Sequence, residues 1–404
     1  MFFDAVEAGA PDVMYGLKIA ADGDQSPLKV DLGVGIYRNE LGAYNEMSVL
    51  RKAKDELYAL NPDHDYEVTT GNPRYLANAA KVAFGGDSPV LDESRIASVQ
   101  TISGTGSIHL ALMFLARSPE GKNRQVYIGT PAWGNYVPMC NLAGLETKTY
   151  THYNPATGGV DFPSVLDAVR TADVGSVFIL QGCCHNPTAA DFSREQWRTL
   201  AVEMKNHHLL PLFDIAYQGL GDGLDEDSYS VRYFAQMGFE MIVCQSFSKS
   251  LGLYGERVGV CHVVCASRSH VYPVHDQLRC LIRWEFSSSP AYGSRLVDLV
   301  LSDPLKEAEW NSELSLIRSR LRSIREALFR QLNDVLKVPG NWGIILQGKG
   351  LFCLLPLSPE QCKDLREKHH IYIVPNGRIT LSGLSDRNIE YVGRCISQVV
   401  EDSP

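Results

Sequence analysis

The most informative stretch of this chain is Cys244-Gln-Ser-Phe-Ser-Lys-Ser-Leu-Gly-Leu-Tyr-Gly-Glu-Arg-Val-Gly259. The apolar run 241–244 leads into a serine-rich turn, and a second apolar run, 258–265, follows. This pattern predicts that Lys249 lies just past the carboxyl end of a strand, the edge at which ligands bind in open α/β sheets. The ordinary alternative is a solvated lysine in a surface turn, because a short Ser-x-Ser-Lys motif has little specificity by itself.

The residues around Lys249 have the chemistry of a phosphate site. Ser246 and Ser248 supply hydroxyl donors, and Arg257 can bind a phosphate through two N–H groups. A lysine amine that is crowded by a cation and partly desolvated has a lowered pKa, which makes it a nucleophile toward an aldehyde. A reactive lysine beside a phosphate site indicates pyridoxal 5'-phosphate bound covalently to that lysine.

The string from Ser246 to Gly259 resembles the cofactor-lysine signature of fold-type I, class-I pyridoxal-phosphate-dependent aminotransferases, close to the aspartate aminotransferase branch. The resemblance covers nearly the whole chain, with the motifs in the family's order. It implies an α/β fold in which helices flank a large mixed or mostly parallel sheet, beside a smaller α/β domain. It also implies a homodimer with shared active sites.

The same resemblance divides the chain into an N-terminal arm (1–14), a small domain (15–45 and 320–404) and a large cofactor-binding domain (46–319). In the family such an arm lies across a partner subunit. Apolar residues recur at helical spacing through 310–336, from Leu314 to Val335, which predicts one long helix between the domains.

A second candidate anion site is the turn Ser103-Gly-Thr-Gly106, which follows a strand-like run and precedes an apolar helix. Backbone N–H groups at a helix start, next to hydroxyls, favour an anion. A glycine turn with a serine or threonine N-cap would look similar. The resemblance assigns the cofactor phosphate to Ser103, Gly104, Thr105, Ser246, Arg257 and, from the partner subunit, Tyr66.

Asp214 comes directly after the apolar residues 210–213. An unpaired buried carboxylate is costly, and a pyridinium N–H is a suitable partner for it; an ordinary post-strand cap is the alternative. The resemblance places Trp133 over the pyridine ring, although the residue alone would be interpreted as a core-edge aromatic. It has Asn186 and Tyr217 donate to the oxygen of the ring hydroxyl. The family's His-Asn-Pro-Thr-Gly motif ends here in Ala189.

The substrate-binding residues are also implied by the resemblance: Gly35, Trp133, Asn186, Arg295 and Arg378. Gly35 lets the backbone approach the substrate, and Arg378 holds the α-carboxylate with the two-pronged geometry that arginine favours. Arg295 reaches into the other subunit and pairs with the side-chain carboxylate of aspartate or glutamate. Taken alone, both arginines would be interpreted as surface residues.

These assignments predict reversible transamination of L-aspartate and 2-oxoglutarate to oxaloacetate and L-glutamate, with Lys249, Asp214 and Tyr217 as catalytic residues. An aromatic or broad-specificity aminotransferase of the same family is the alternative, and Arg295 does not exclude it. An NAD-dependent oxidoreductase is disfavoured because the Gly-x-Gly turns lack a third glycine at the required spacing. A catalytically idle binding protein is disfavoured by the reactive lysine, the aspartate and the arginines.

The composition is that of a globular enzyme with 404 residues, 21% of them charged. A net charge of −9 without a basic tract argues against nucleic acid or an anionic membrane as partner. The resemblance implies small amino and oxo acids as the molecules that are bound. Vicinal cysteines such as Cys183-Cys184 are poor paired metal ligands, so no metal is expected.

No apolar run reaches the ~18 residues that span a bilayer, and no Arg-rich presequence is visible, so a cytoplasmic location is expected.

Overall fold

The protein is described by a computed structural model that covers residues 1–119, 121 and 124–402. The strands are β1 (Val30–Asp31), β2 (Ile96–Ile102), β3 (Gln125–Thr130), β4 (Glu146–Thr151), β5 (Tyr153–Asn154), β6 (Gly159–Val160), β7 (Val177–Gln181), β8 (Leu210–Ile215), β9 (Met241–Ser246), β10 (Val258–Val264), β11 (Phe352–Leu354), β12 (Ile371–Tyr372) and β13 (Arg378–Thr380).

The helices are α1 (Val13–Gly23), α2 (Ser48–Leu60), α3 (Pro73–Phe84), α4 (Pro89–Asp92), α5 (Ser103–Arg117), α6 (Tyr136–Ala143), α7 (Phe162–Thr171), α8 (Arg194–Asn206), α9 (Leu224–Asp227), α10 (Tyr229–Gln236), α11 (Val271–Glu285), α12 (Ala291–Leu301), α13 (Pro304–Phe329), α14 (Ile344–Gln347), α15 (Pro359–His369) and α16 (Ile389–Glu401). Within the described part of the chain, none of them is long and apolar enough to cross a membrane.

The central sheet has seven strands in the order β2-β10-β9-β8-β7-β3-β4. Neighbours from β9 to β4 are parallel, while β10 runs antiparallel to both β9 and β2. Strands β9 and β10 are buried along their whole length, as expected when both faces of a sheet are covered. The register pairs Gln181 with Asp214 and Asp214 with Cys244, so the carboxyl ends of three parallel strands meet at one edge.

Two small sheets join distant parts of the sequence. Strand β1 pairs in parallel with β12, matching Val30 to Ile371, and β11 pairs antiparallel with β13. The β1–β12 pairing connects the two segments of the expected small domain, and the β11–β13 pairing lies within its second segment. The boundaries of that domain stay a prediction. Residues at the start of the expected arm are exposed, among them Phe2 and Phe3.

The long helix predicted over 310–336 corresponds to α13 and a π-helical turn, Arg330–Val335. Its apolar stripe is buried from Leu314 to Leu332, but Val335 is 61% exposed, which corrects the predicted stripe at its end. The physical reason is the π-helical turn, because its wider i→i+5 spacing rotates the residues that follow away from the buried face.

The start of α2 is held by a residue of α13. Met47 at the N-cap makes no side-chain capping bond, and the first free N–H groups of the helix need acceptors. Glu313 accepts from the backbone N–H of Ser48 at 2.8 Å and of Val49 at 2.9 Å. One carboxylate therefore caps α2 and fastens it to α13.

We expect Glu313→Ala to lower the free energy of unfolding by about 1–2 kcal/mol, since it removes an N-terminal cap and a favourable charge at a helix N-terminus. Chemical denaturation would measure the change. Glu326→Ala, an exposed glutamate of the same helix, is the matched control and should change stability by less than ~0.5 kcal/mol. Equal effects of the two substitutions would contradict this capping role.

Candidate active site

A cavity at the carboxyl edge of the central sheet collects most of the predicted site residues. Its lining consists of Ser103, Gly104, Thr105, Ile108, Trp133, Gln181, Asn186, Asp214, Ala216, Tyr217, Ser246, Lys249 and Arg257. Of the other predicted residues, Arg378 and Gly35 lie beside this cavity through contacts described below. Tyr66, on a loop, and Arg295, in α12, do not line it.

One end of the cavity is a cluster of hydroxyl groups at the start of α5. The Ser103 hydroxyl lies 2.9 Å from that of Ser246 and 2.7 Å from that of Ser248. Arg257 donates to the Ser248 hydroxyl at 3.2 Å and to the Tyr254 carbonyl at 2.9 Å. Three hydroxyls, a guanidinium and the free N–H groups of a helix start together form a cradle for a phosphate.

The close approach of β10 to the start of α5 depends on Gly259. A Cβ atom added there would lie 2.7 Å from the Ser103 carbonyl carbon and 2.6 Å from the Gln245 carbonyl oxygen, too close for any side chain. Ser103 and Arg257 both have left-handed backbone conformations, with φ of 58° and 53°. This strained backbone turns both residues toward the cluster.

Asp214 is buried deep in the cavity, and one of its two carboxylate oxygens has no hydrogen-bond donor among the described residues. Its Oδ2 accepts a hydrogen bond of 2.6 Å from the Tyr136 hydroxyl, while its Oδ1 is buried and has no partner among the described residues. Burial raises the pKa of Asp214, and the bond from Tyr136 and the nearby Lys249 charge oppose that shift. A buried carboxylate oxygen needs a donor, and the ring N–H of pyridoxal phosphate is one.

Lys249 follows β9, as the sequence predicted, and its amine lies 5.2 Å from the centre of the Tyr217 ring. Burial lowers the pKa of Lys249, Asp214 acts in the opposite direction, and the Arg257 and Arg378 charges lower it further. A lowered pKa leaves more of the amine uncharged at neutral pH. The amine, the unmatched carboxylate oxygen and the phosphate cradle occupy one cavity and together fit pyridoxal phosphate.

Arg378 is buried next to the cavity, and only some of its N–H groups have hydrogen-bond acceptors among the described residues. It donates to the Gly33 carbonyl at 2.6 Å and to the Asn186 side-chain oxygen at 3.3 Å. Its Nε is buried without a partner in the described ranges, and its guanidinium lies 4.5 Å above the Phe352 ring centre. Gly35 packs on the same ring, where an added Cβ would be 2.9 Å from Phe352 Cζ. An incompletely paired guanidinium at this position could bind a carboxylate.

The turn that presents Asn186 is fixed by two neighbours that the sequence analysis did not identify. Gln181 accepts from the Asn186 N–H at 2.8 Å and donates to its carbonyl at 3.0 Å. Asp191 accepts from the backbone N–H groups of Cys184 and His185, each at 2.8 Å. Ala189, where the family motif has glycine, adopts a left-handed φ of 56°. The turn therefore keeps the conformation that glycine favours, although alanine occupies it.

Tyr66 and Arg295 do not reach the cavity of their own chain. Tyr66 is 90% exposed. Arg295 donates to Glu67 Oε1 from Nε at 2.9 Å and from Nη2 at 2.6 Å, and to the Asp63 carbonyl at 3.1 Å. A carboxylate of the same chain thus already neutralises Arg295. This pairing argues against the predicted role of Arg295 in binding a substrate carboxylate.

Comparison with known proteins identifies the class of this site. Residues 27–396 match the family model for aminotransferase class I and II. The chain is 50% identical to aminotransferase tasG of Hapsidospora irregularis over 99% of this chain and 97% of that one. It is 39% identical to the cytoplasmic aspartate aminotransferase of Oryza sativa subsp. japonica, covering 97% of each chain.

Solved structures agree with this match. The aromatic-amino-acid aminotransferase of Burkholderia pseudomallei, covalently bound to pyridoxal phosphate, superposes with a TM-score of 0.95 at 34% identity, over 99% of this chain and 100% of that one. The cytoplasmic aspartate aminotransferase of Saccharomyces cerevisiae superposes with a TM-score of 0.96 at 36% identity, over 100% and 99%. The chain therefore belongs to the class I and II aminotransferase family. The predicted fold class and the predicted cofactor, pyridoxal phosphate, are confirmed.

The Asp191 carboxyl predicts a pH dependence of stability. Burial raises its pKa from 3.8 to about 6, so folding favours its protonated form and this contribution is lost as pH rises through the folded pKa. The free energy of unfolding of the wild type, minus that of Asp191→Asn, should fall by roughly 2–3 kcal/mol between about pH 4 and pH 6, and then level off. Denaturation series in matched buffers would measure it. A difference that does not vary with pH would contradict the raised pKa.

Proposed function

We propose that this class-I aminotransferase transfers the amino group between L-aspartate and 2-oxoglutarate at the cavity around Lys249. The observation that carries the proposal is the single cavity that holds a partly buried lysine amine, a buried carboxylate with a free oxygen and a phosphate cradle. Several relatives named as aspartate aminotransferases match over nearly the whole chain, which supports aspartate as the amino donor.

When bound, pyridoxal phosphate supplies an electron sink that makes the substrate Cα–H acidic. Lys249 holds the cofactor and, once released, moves a proton at the substrate Cα through Nζ, for which a lowered amine pKa is suited. Asp214 Oδ1 keeps the ring nitrogen protonated. The Ser103 and Ser246 hydroxyls, the Gly104 and Thr105 N–H groups and Arg257 hold the phosphate.

The remaining roles concern the ring substituent and the substrate. Asn186 and Tyr217 donate to the ring hydroxyl oxygen, Trp133 packs on the ring face, and Arg378 binds the α-carboxylate beside Gly35. Support for the last role comes from the buried Arg378 Nε, which lacks a partner among the residues described.

We further propose a homodimer in which Tyr66 completes the phosphate site of the partner subunit. Support comes from its 90% exposure, since a tyrosine with this role should be uncovered in a single chain, and from other exposed apolar side chains. These exposed apolar side chains are Tyr58, Leu60, Val68, Trp284 and Tyr292.

The cytoplasmic location stays a prediction, because relatives with cytoplasmic, mitochondrial and chloroplastic names all match.

An aromatic or broad-specificity aminotransferase is the second candidate, favoured by the similarity to an aromatic-amino-acid aminotransferase. The two candidates differ in whether an arginine is available for a second carboxylate. Arg295 is already paired with Glu67, but Arg283, near the end of α11, is exposed and donates to the Ser287 hydroxyl. Because Arg283 has no carboxylate partner in the described part of the chain, we propose it for the second carboxylate.

Covalent trapping tests the proposed reaction centre. After incubation with pyridoxal phosphate and reduction with borohydride, peptide mapping should find the adduct on Lys249. Lys249→Ala should lose this adduct and slow amino transfer by about 10²–10⁴-fold or more, because the proton-transfer group is missing. Lys148→Ala, at an exposed position, is the control and should keep both. An adduct on another lysine in the wild type would remove the basis of the proposal.

Comparing aspartate with phenylalanine as amino donor tests whether Arg283 or Arg295 binds the second substrate carboxylate. We expect Arg283→Leu to lower kcat/KM for aspartate by roughly 10–100-fold, the effect of losing one charge-assisted pair, and to leave kcat/KM for phenylalanine nearly unchanged. Arg295→Leu should affect both donors to a similar extent, since it leaves Glu67 unpaired. The reverse pattern would restore Arg295 to the role that the sequence predicted, and an insensitive Arg283→Leu enzyme would favour the aromatic candidate.

A further inference from the structure

Tyr136 contacts two of the residues that are proposed to touch the cofactor ring. It is the first residue of α6 and is 2% exposed. Its hydroxyl donates to Asp214 Oδ2 at 2.6 Å, and its ring meets the Trp133 ring edge to face, with the centres 5.3 Å apart and the planes at 88°. The roles proposed above leave this tyrosine without a function.

The hydrogen bond makes the two oxygens of Asp214 unequal. A carboxylate with two free oxygens can turn about its Cβ–Cγ bond and present either one. Here Oδ2 is occupied by the Tyr136 hydroxyl, and only Oδ1 is left as an acceptor. An acceptor that is oriented before the cofactor arrives costs no reorganisation when the ring N–H binds.

The protonation states suit this arrangement. Burial raises the pKa of Tyr136 well above its ordinary value, and the Asp214 charge adds to that shift, so the phenol remains a donor at neutral pH. The same hydrogen bond lowers the pKa of Asp214 against the effect of burial, which favours the ionised carboxylate. An ionised carboxylate is the form that stabilises a protonated ring nitrogen.

We propose that Tyr136 is a positioning residue for the cofactor ring: its hydroxyl orients Asp214 so that Oδ1 receives the ring N–H, while its own ring holds Trp133 at the ring face. The inference rests on the proposed roles of Asp214 and Trp133. It differs from a purely structural role because the effect of the hydroxyl should depend on the ring nitrogen of the bound molecule.

A pair of cofactor probes makes that difference measurable. Tyr136→Phe removes the hydroxyl and keeps the aromatic ring. The full-length protein, stripped of cofactor, would be titrated with pyridoxal phosphate and with an analogue that has a C–H group in place of the ring nitrogen. We expect Tyr136→Phe to weaken binding of pyridoxal phosphate by roughly 10–100-fold and binding of the analogue by less than about threefold.

Tyr75→Phe is the matched control, since Tyr75 is also fully buried and its hydroxyl donates to the Gly259 carbonyl at 3.2 Å, away from Asp214. It should change the affinity for both probes equally. In an Asp214→Asn background, Tyr136→Phe should no longer change the ratio of the two affinities, because the carboxylate through which it acts is gone.

Two outcomes would overturn the inference and can be told apart. If the wild type does not prefer pyridoxal phosphate over the analogue, the role of Asp214 fails and the role of Tyr136 fails with it. If the wild type shows the preference and Tyr136→Phe weakens both probes equally or keeps the full preference, the role of Tyr136 alone fails. Thermal unfolding of each cofactor-free variant would verify that the substituted proteins are folded.

Discussion

The structure depends on one constraint: a carboxylate, Asp214, and an amine, Lys249, are buried in one cavity. Among the described residues, Asp214 has a hydrogen-bond partner for only one of its two oxygens. Desolvation raises the pKa of Asp214 and lowers that of Lys249, and each group partly offsets the shift of the other. Burying such groups costs several kcal/mol unless donors and opposite charges compensate. The sheet, the Tyr136 hydroxyl and nearby cations provide part of that compensation, and the unmatched Asp214 Oδ1 leaves a place for a bound group.

Part of the chain's backbone strain lies in the turns at the edge of the sheet that holds this cavity. Ser103, Cys184, Ala189 and Arg257 all have left-handed φ values although none is glycine. Each such residue costs roughly 1–3 kcal/mol, which is sustained only where the surroundings fix the conformation. Here the surroundings are paired strands: Ser103 follows β2, Arg257 precedes β10, and Cys184 and Ala189 lie in the turn after β7. The rigid sheet edge therefore maintains the strained turns that present the site residues.

Local signals in the sequence were sufficient for the part of the fold that surrounds Lys249. Strands β9 and β10, the start of α5 and the end of β8 were each visible as an apolar run followed by polar or glycine residues. Pairings between distant segments were not visible. Nothing near Val30 indicates that it pairs with Ile371, and nothing near Arg378 indicates Asn186, because such contacts depend on the register of the whole chain. The π-helical turn that exposes Val335 also lacked a recognisable signal.

The same limit explains which site residues were found. Residues within a long motif, such as Ser246 and Arg257, could be placed by resemblance. Tyr136 could not, since it is an ordinary aromatic at a helix start whose partner lies 78 residues away. The pairing of Arg295 with Glu67 joins helix α12 to a loop 228 residues earlier in the chain, so no local pattern reveals it.

The arginines that are proposed to bind the two substrate carboxylates lie in different parts of the fold, one buried and one exposed. Arg378, which is proposed to bind the α-carboxylate, is buried and fixed by the Gly33 carbonyl and Asn186. Arg283, which is proposed for the second carboxylate, is exposed near the end of α11. With a net charge of −9, the whole molecule repels an anionic substrate, so attraction depends on such local cations. With the roles proposed above, the buried end would bind the α-carboxylate that all amino-acid substrates share, and Arg283 would distinguish the dicarboxylates among them. Such a division is consistent with a fold that superposes equally well on an aspartate and on an aromatic-amino-acid aminotransferase.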